Sequence, residues 1–232
     1  MGVSGAYEFS PGRGAAAAAA VELMEPGMVV GLGSGRAVWA VIEAIGARWL
    51  GPKPVRAIVA SDATYAIAHA AGIEVVPLDG QVELDIAVDG TDEVDSELRL
   101  LKGGGGALLR EKIVASAAKR FVVVAEVEKL TDRLGSGFSL PVEVVRFGWR
   151  DTRRRLSGLF PQADRRSVGD EAFTTDEGHY ILDCSIPPDA DLEAMDRELK
   201  LVPGVVEHGL FLGMAERALL GRPDGEVQVL GP

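Results

Sequence analysis

The chain has 232 residues, 47% of them hydrophobic, a formal net charge of −11 and a sequence pI near 4.8. This length allows one large domain or two modest ones around a substantial apolar core. The negative charge argues against a nucleic-acid partner, because phosphate backbones are bound by clustered Lys and Arg. The basic run at 153–155 is therefore interpreted as a solvated helix face.

The alanine-rich segment at residues 15–20 predicts a first helix. It does not fit a secretory signal segment, because it lacks large apolar side chains and acidic residues follow closely. Residues 1–12, rich in Gly and Ser, are expected to form a loose tail. The sequence contains no run of eighteen apolar residues, so no membrane span is predicted.

Strands and helices then alternate through the first half of the chain. The hydrophobic pattern predicts strands at 28–32, 55–60, 74–78, 84–88 and 120–125, and helices at 37–50, 62–71 and 107–119, with Asp62 as the N-cap of the second of these helices. Alternation at this spacing predicts an open, mostly parallel α/β sheet.

The pattern changes after Gly135. Residues 140–147 alternate like a half-exposed antiparallel strand, helices are predicted at 151–159 and 189–199, and strand-like segments flank the turn at 175–178. Segments 205–211 and 226–230 are expected to return to the large sheet. We therefore expect a large domain at 1–134, completed by 207–232, and a small α+β domain at 135–206.

Cysteine and histidine content predicts neither a disulfide nor a metal site. The single cysteine, Cys184, cannot form an intramolecular disulfide and suits a reducing compartment, so the cytoplasm is expected. Its strand pattern predicts a buried, unreactive thiol. The three histidines have no mutual metal-ligand spacing and are expected to be structural: His69, His179 and His208.

The segment Gly31-Leu-Gly33-Ser34-Gly35-Arg36-Ala37 ends a predicted strand and opens a helix. At such a turn, unpaired N–H groups and the helix dipole favour an anion such as phosphate. Close packing alone is the competing explanation. A dinucleotide site is not favoured because Arg36 stands where a third glycine is needed, and the spacing of a nucleotide-binding P-loop is absent.

Acidic residues cluster after the fourth predicted strand. Asp89 ends that strand, where open α/β sheets bind their ligands, and Asp92 follows in the next turn. An ordinary solvated acidic turn is the alternative, and it is the preferred interpretation for Glu93, Asp95 and Glu97. A divalent-metal site is not favoured, because these oxygens lack the spacing of a calcium loop.

Glu111 is the residue whose position in the sequence most strongly indicates a functional side chain. Its neighbours three and four residues away on the predicted helix are all apolar, so a carboxylate lies within an apolar stripe. Desolvation there would raise its pKa toward the range that suits a general base. A buried salt bridge with Lys102 is the structural alternative. Arg110 and Lys112 are expected to point outward.

Lys102 precedes four consecutive glycines. Its ammonium is placed to stabilise a developing oxyanion, and the bare backbone of Gly103, Gly104 and Gly105 allows N–H groups to approach a sugar closely. Lys129 follows the fifth predicted strand and is a second candidate phosphate contact. An ordinary surface lysine is the alternative there.

At these residues the chain resembles ribose-5-phosphate isomerase of type A, over nearly its whole length from about residue 13. The resemblance rests on segments 89–95 and 102–114, with support from 140–145 and 203–211. It implies interconversion of D-ribose 5-phosphate and D-ribulose 5-phosphate through a cis-enediolate, without metal or organic cofactor. With the alternation above, it implies a Rossmann-like sheet, a smaller ferredoxin-like α+β domain and a homodimer.

Carried onto matching positions, the resemblance makes Glu111 the base that moves a proton between C2 and C1. Asp89, Asp92 and Lys102 would handle hydroxyl protons, ring opening and enediolate charge. The expected substrate-binding residues lie in the two glycine loops, the acidic turn and one later loop: Ser34, Gly35, Arg36, Ala37, Asp89, Gly90, Thr91, Asp92, Lys102, Gly103, Gly104, Gly105 and Lys129.

One departure from the family pattern affects the first loop. The family usually has Gly-Thr-Gly-Ser-Thr where this chain has Gly33-Ser34-Gly35-Arg36-Ala37, so two hydroxyls are lost. Arg36 either compensates through bidentate charged hydrogen bonds or narrows the pocket and changes which sugar phosphate fits. A lysine that the family places early in its first helix aligns with Arg13.

Two rival functions remain open from the sequence. A sugar-phosphate sensor that lost catalysis is disfavoured because the short N-terminal segment is not expected to hold a DNA-reading module. A nicotinamide dehydrogenase is disfavoured by the missing third glycine.

Overall fold

The computed structural model describes residues 10–232, so most of the expected N-terminal tail lies outside the described residues. Its strands are β1 (Val29–Leu32), β2 (Arg56–Val59), β3 (Glu74–Val75), β4 (Ile86–Asp89), β5 (Glu93–Val94), β6 (Leu100–Leu101), β7 (Phe121–Glu126), β8 (Leu140–Val144), β9 (Ala163–Arg165), β10 (Ser167–Val168), β11 (Glu171–Ala172), β12 (Tyr180–Cys184), β13 (Val205–His208), β14 (Leu210–Phe211), β15 (Arg217–Gly221) and β16 (Val227–Leu230). Its helices are α1 (Pro11–Val21), α2 (Arg36–Arg48), α3 (Asp62–Ala70), α4 (Leu108–Ala117), α5 (Trp149–Leu156) and α6 (Leu192–Lys200).

The predicted open α/β sheet is confirmed. Seven strands lie in the order β16-β15-β7-β4-β1-β2-β3, and all neighbours are parallel except β15 and β16. Alternate residues of each central strand face opposite sides, so Val122 and Val124 pack in one apolar cluster with α1 and α2 while Val123 packs in another with α4. The parallel strands are therefore covered on both faces.

Residues after Gly135 form a second sheet in the order β13-β8-β12-β9, in which every described pairing is antiparallel. Two strands, β8 and β12, are followed by α5 and α6, which gives the β-α-β-β-α-β arrangement of a ferredoxin-like fold. Its core includes Cys184, which is fully buried as predicted. Burial raises the pKa of that thiol, so it stays protonated and unreactive.

Several predicted boundaries are wrong for identifiable reasons. Helix α1 already begins at Pro11, because a proline fits the first helical position and Ser10 caps it, so residues 10–12 do not belong to a tail. The N-cap of α3 is Ser61, whose Oγ accepts the Thr64 N–H at 3.1 Å, rather than Asp62. Strand β3 ends early, since Pro77 has no N–H to donate.

The C-terminal segments also divide differently from the prediction. Residues 205–208 pair with β8 of the small sheet, and residues 210–211 join a three-stranded sheet in the order β14-β6-β5. Only 227–230 return to the large sheet, next to β15, a strand that the sequence did not predict. Sequence alternation does not record which of two sheets a strand joins.

Strand β8 was expected to be half exposed, yet all five of its residues are buried. Its second face is covered by the tetraglycine loop, 103–106, and by the turn at 175–178. A Cβ at Gly103 would lie 3.2 Å from Pro141, and the Thr175 hydroxyl donates to Glu143 at 2.9 Å. Contacts with this loop and this turn therefore account for the burial.

Lys112 was expected to point outward, and this prediction is wrong. Its Nζ donates to Glu207 Oε1 and to the His208 carbonyl, both at 2.7 Å, and lies 4.8 Å from the centre of the Phe211 ring. Burial lowers the pKa of Lys112, although the charge of Glu207 opposes the shift. The side chain joins α4 to the segment that leaves the small sheet.

The solvated-turn interpretation is also wrong for Glu93 and Asp95, which are 4% and 2% exposed. Asp95 accepts hydrogen bonds from Arg99 Nε and from backbone N–H groups of its own turn. Glu93 accepts the N–H groups of Gly135, Gly137 and Phe138 at 2.5, 2.7 and 3.1 Å. A buried carboxylate thus holds the loop that enters the small domain.

Replacing Glu93 by Gln should lower the free energy of unfolding by about 2 kcal/mol or more, because the amide cannot accept all three bonds and turns a donor toward an N–H. Urea unfolding of the purified variant measures this loss. The matched control is Glu97→Gln, whose side chain is 70% exposed and should change stability by less than about 0.5 kcal/mol. Equal stability of both variants would contradict the assigned role of Glu93.

Candidate active site

A cavity of about 460 Å³ opens beyond the carboxyl ends of β1, β4 and β7, as expected for an open α/β sheet. Side chains and bare backbone from both glycine loops face it. The residues that line it are Arg13, Ser34, Gly35, Arg36, Ala37, Trp39, Gly90, Thr91, Asp92, Lys102, Gly103, Gly104, Gly105, Glu111, Glu126, Lys129 and Phe138.

Asp89 lies directly behind this lining. Its Oδ1 accepts the Ser34 and Gly90 N–H groups at 3.1 and 2.7 Å, which ties the first glycine loop to the end of β4. A Cβ at Gly33 would lie only 1.9 Å from the Asp89 carboxyl carbon. Gly33 is therefore glycine because the carboxylate occupies the space of a side chain.

Lys102 lies at the centre of the cluster and is 3% exposed. Its Nζ donates to the Gly90 carbonyl at 2.7 Å and lies 2.9 Å from Asp89 Oδ2 and 3.1 Å from Glu111 Oε2. Burial would lower the pKa of this ammonium, but the two adjacent carboxylates outweigh it and raise the pKa of Lys102. The lysine stays charged and attracts both acids.

Glu111 is 6% exposed and has the perturbed acidity that its sequence position predicted. Burial raises its pKa to about 8, the charge of Asp89 adds to the rise, and Lys102 opposes it. Its Oε2 has the ion pair with Lys102 but no well-aligned hydrogen bond. Burial also raises the pKa of Asp89, which Lys102 and two backbone N–H donors partly oppose.

Asp92 and the tetraglycine loop, 103–106, form a further part of the cavity wall. Asp92 Oδ2 accepts the Gly104 N–H at 2.7 Å, and a Cβ at Gly104 would approach the same carboxylate to 2.7 Å. The Thr91 hydroxyl lies 2.6 and 2.9 Å from the Glu93 and Leu101 carbonyl oxygens, inside the β5–β6 hairpin. Thr91 thus fixes the acidic turn, and Asp92 faces the cavity.

The part of the cavity wall formed by the start of α2 and by Lys129 is positively charged, and it is called the cationic end below. Helix α2 begins there with Gly35 as N-cap, at φ 89° and without a capping side chain. Lys129 lies 4.5 Å from the centre of the Phe138 ring, which holds its ammonium at the cavity wall. A helix N-terminus and a lysine that line the same cavity are suited to bind a phosphate group.

Two arginines accompany this lysine. Arg13 Nη2 lies 2.9 Å from Glu126 Oε1. Although partial burial favours the neutral acid, a hydrogen bond from Ser10 and the charges of Arg13 and Arg36 hold the pKa of Glu126 below its usual range. Arg13, Arg36 and Lys129 together outnumber the single carboxylate of Glu126, so this end of the cavity attracts anions.

The structure brings together every residue that the sequence predicted for the site, with Asp89 behind the lining and the others on it. Four lining residues were not among those predicted, and of these Arg13 had been noted only as the match to a family lysine. Glu126 ends β7 and Trp39 lies one turn into α2, so strand-end and helix-start positions could have indicated both. Phe138 comes from the loop between the two sheets and carries no such signal.

Among residues 10–232, no group of three or more His, Cys, Asp or Glu side chains is arranged to hold a metal ion. None of the helices in this part of the chain is long and apolar enough to cross a membrane.

Residues 56–225, more than half of the chain, match the family described as Ribose 5-phosphate isomerase A (phosphoriboisomerase A). A relative from Roseiflexus sp. (strain RS-1), named Ribose-5-phosphate isomerase A, is 46% identical over 223 residues, which cover 95% of this chain and 96% of the relative. A relative of the same name from Sinorhizobium fredii (strain NBRC 101917 / NGR234) is 43% identical and covers 90% and 93% of the two chains.

The chain is also similar to solved structures of proteins with the same name. Ribose 5-phosphate isomerase from Plasmodium falciparum superposes with a TM-score of 0.88 at 33% identity, covering 95% of this chain and 97% of the other. A D-ribose-5-phosphate isomerase in complex with phospho-erythronic acid gives a TM-score of 0.88 at 32% identity with the same coverage. The chain therefore belongs to the ribose 5-phosphate isomerase A family.

Proposed function

We propose that this chain interconverts D-ribose 5-phosphate and D-ribulose 5-phosphate through a cis-enediolate, with Glu111 as the base. The observation that carries this proposal is a buried carboxyl with a pKa of about 8, 3.1 Å from a buried ammonium, on the wall of a cavity with a cationic far end. A base of this acidity is suited to take and return a proton near neutral pH.

In the aldose, the Glu111 carboxylate removes the proton on C2. The electron pair forms the C1–C2 double bond, and the carbonyl electrons move to the oxygen on C1. The protonated Glu111 then delivers its proton to C1, while the oxygen on C2 becomes the ketone. Proton transfer between the two oxygens balances the step, and Asp92 is the cavity-lining acid assigned to it and to ring opening.

Lys102 and Asp89 act on the negative charge that develops on the enediolate intermediate. Lys102 lines the cavity with a buried ammonium that favours the negative enediolate oxygen. Asp89 is assigned an indirect role, because it lies behind the lining and holds Lys102 at 2.9 Å and the Ser34 loop at 3.1 Å. Its negative charge also keeps Glu111 basic.

The phosphate is assigned to the cationic end, on residues 34–37, Lys129 and Arg13. The relative with bound phospho-erythronic acid supports a cavity that takes a sugar phosphate, since that ligand combines a phosphate with a carboxylate at the opposite end. A carboxylate resembles the two adjacent oxygens of an enediolate. The sensor alternative is disfavoured, because a pocket that only binds needs no base with a raised pKa.

Three coarser inferences accompany this function. We propose a homodimer and a cytoplasmic location, both from the family and the second also from the single buried thiol. We also propose that the catalytic domain consists of 1–134 with 207–232 and that 135–206 form the small domain, although the pairing of 205–208 with β8 moves the return point to about residue 209.

The activity is tested by incubating metal-free protein with ribose 5-phosphate and following ketose formation. Wild type should form product without additives. Glu111→Gln should lower kcat by about a hundredfold or more, because its amide cannot accept the C2 proton. Circular dichroism should show an unchanged fold. Glu43→Gln, an exposed residue of α2, is the matched control and should retain full activity. Wild-type turnover in the Glu111 variant would exclude it as the base.

Arg36→Ala should raise KM for the sugar phosphate about tenfold or more and change kcat by less than about threefold, because charged hydrogen bonds to the phosphate contribute mainly to binding. Initial rates over a range of substrate concentrations measure both constants. A double variant, Arg36→Ser with Ala37→Thr, restores the two hydroxyls of the usual family loop and should recover most of the lost affinity. A KM equal to that of wild type in Arg36→Ala would show that this arginine does not contact phosphate.

A further inference from the structure

The tetraglycine loop cannot hold its own shape through side chains. Gly103 and Gly106 have φ values of 100° and 88°, and glycine residues lose more conformational entropy on folding than any other type. Within the loop, the Gly106 N–H donates to the Gly103 carbonyl at 3.0 Å. The remaining constraints come from other elements, and the strongest of them comes from the small sheet.

Arg166 supplies that constraint. This residue lies between β9 and β10, and its backbone is fixed on both sides, because its N–H donates to the Ile181 carbonyl at 2.8 Å and its carbonyl accepts the Phe173 N–H at 3.0 Å. Its guanidinium forms a two-pronged ion pair with Asp183 of β12, with Nε–Oδ2 and Nη2–Oδ1 distances of 3.0 and 2.6 Å. The side chain is therefore oriented before it reaches the loop.

The remaining nitrogen, Nη1, donates to the Gly103 and Gly104 carbonyls at 2.8 and 3.0 Å. The Gly103 carbonyl and the Gly104 N–H belong to one planar peptide unit, so the two groups point in opposite directions. Asp92 accepts that N–H at 2.7 Å. Arg166 and Asp92 thus hold the same peptide plane from its two ends.

In the next peptide unit the Gly104 carbonyl and the Gly105 N–H likewise point in opposite directions. Because Arg166 holds the Gly104 carbonyl, the Gly105 N–H points away from Arg166. Gly105 lines the cavity and Arg166 does not. Phe173 packs under the end of the loop, where a Cβ at Gly106 would lie 2.3 Å from its ring. The loop is thus gripped on its outer side and presents its backbone to the cavity.

We propose that Arg166 is a positioning residue for the isomerisation, acting through the two peptide planes that it orients. It keeps the Gly105 N–H directed at the sugar oxygen that gains negative charge during the reaction, and it keeps the Asp92 carboxylate placed to exchange hydroxyl protons. The proposal rests on the proposed function and adds the small domain to it: the catalytic loop lies between β6 and α4, and the residue that orients it lies between β9 and β10 of the small domain.

The test separates positioning from folding. Arg166→Ala should lower kcat about tenfold or more and leave KM within about threefold, because misplaced donors weaken the transition state more than phosphate binding. Inhibition by phospho-erythronic acid should weaken in parallel with kcat, whereas inhibition by inorganic phosphate should stay unchanged. Arg166→Lys should also be impaired, since a single ammonium cannot reproduce the planar fork.

The matched control is Arg165→Ala. Arg165 is the neighbouring residue, and its guanidinium stacks 4.9 Å from the Trp149 ring and 5.3 Å from the Tyr180 ring, within the small sheet. Its loss should lower the melting temperature but not kcat. Asp183→Asn, which keeps Arg166 and weakens its anchor, should give an intermediate kcat and serves if Arg166→Ala does not fold.

Wild-type kcat and unchanged inhibition by phospho-erythronic acid in the Arg166 variants would overturn the proposal. A parallel loss of affinity for inorganic phosphate would also overturn it, because the whole cavity would then have collapsed. If wild type itself formed no ketose, the proposed function would fail, and this outcome is distinct from an active wild type with unaffected Arg166 variants.

Discussion

One buried ammonium organises this protein's catalytic cavity. Lys102 lies 2.9 Å from Asp89 and 3.1 Å from Glu111, and each of the three side chains is less than a tenth exposed. If both acids ionised, the cluster would carry a net charge of −1 in a desolvated site, so one of them tends to keep a proton. Asp89 accepts two backbone N–H groups and Glu111 has no comparable donors, so the raised pKa with a functional consequence is that of Glu111.

The glycines around this cluster follow from its compactness. Gly33 leaves room for the Asp89 carboxylate, and Gly104 for that of Asp92, where added Cβ atoms would approach to 1.9 and 2.7 Å. Gly209 does the same for the Lys102 carbonyl, with a distance of 2.1 Å. Bare backbone is therefore needed wherever strand ends and carboxylates converge. Because its residues have no side chains, the tetraglycine loop also lacks anchors of its own. An arginine of the small domain, Arg166, holds it instead.

The sequence predicted the alternating strands and helices, and it predicted Glu111, because a carboxylate in an apolar helical stripe is a local pattern. It did not reveal that Glu93 is buried, since the three N–H groups that satisfy it lie more than forty residues away in the chain. Strand β13 was assigned to the wrong sheet, because alternation indicates a half-buried strand but not its partner. Arg166 had no sequence signal at all, as its partners, Asp183 and the backbone of 103–104, come from separate parts of the chain.

The central claim is that the Glu111 carboxyl has a raised pKa, so that it holds a proton near neutral pH and its carboxylate is basic enough to take the C2 proton. Infrared difference spectra between wild type and Glu111→Gln, recorded on free protein over a range of pH, measure this directly. A protonated acid has a carbonyl stretch that disappears on ionisation. Since burial raises the pKa to about 8, the band should persist at pH 6 to 7 and disappear as the pH rises through about 8. Loss of the band between about pH 4 and 5, the ordinary range of a glutamic acid, would contradict the account.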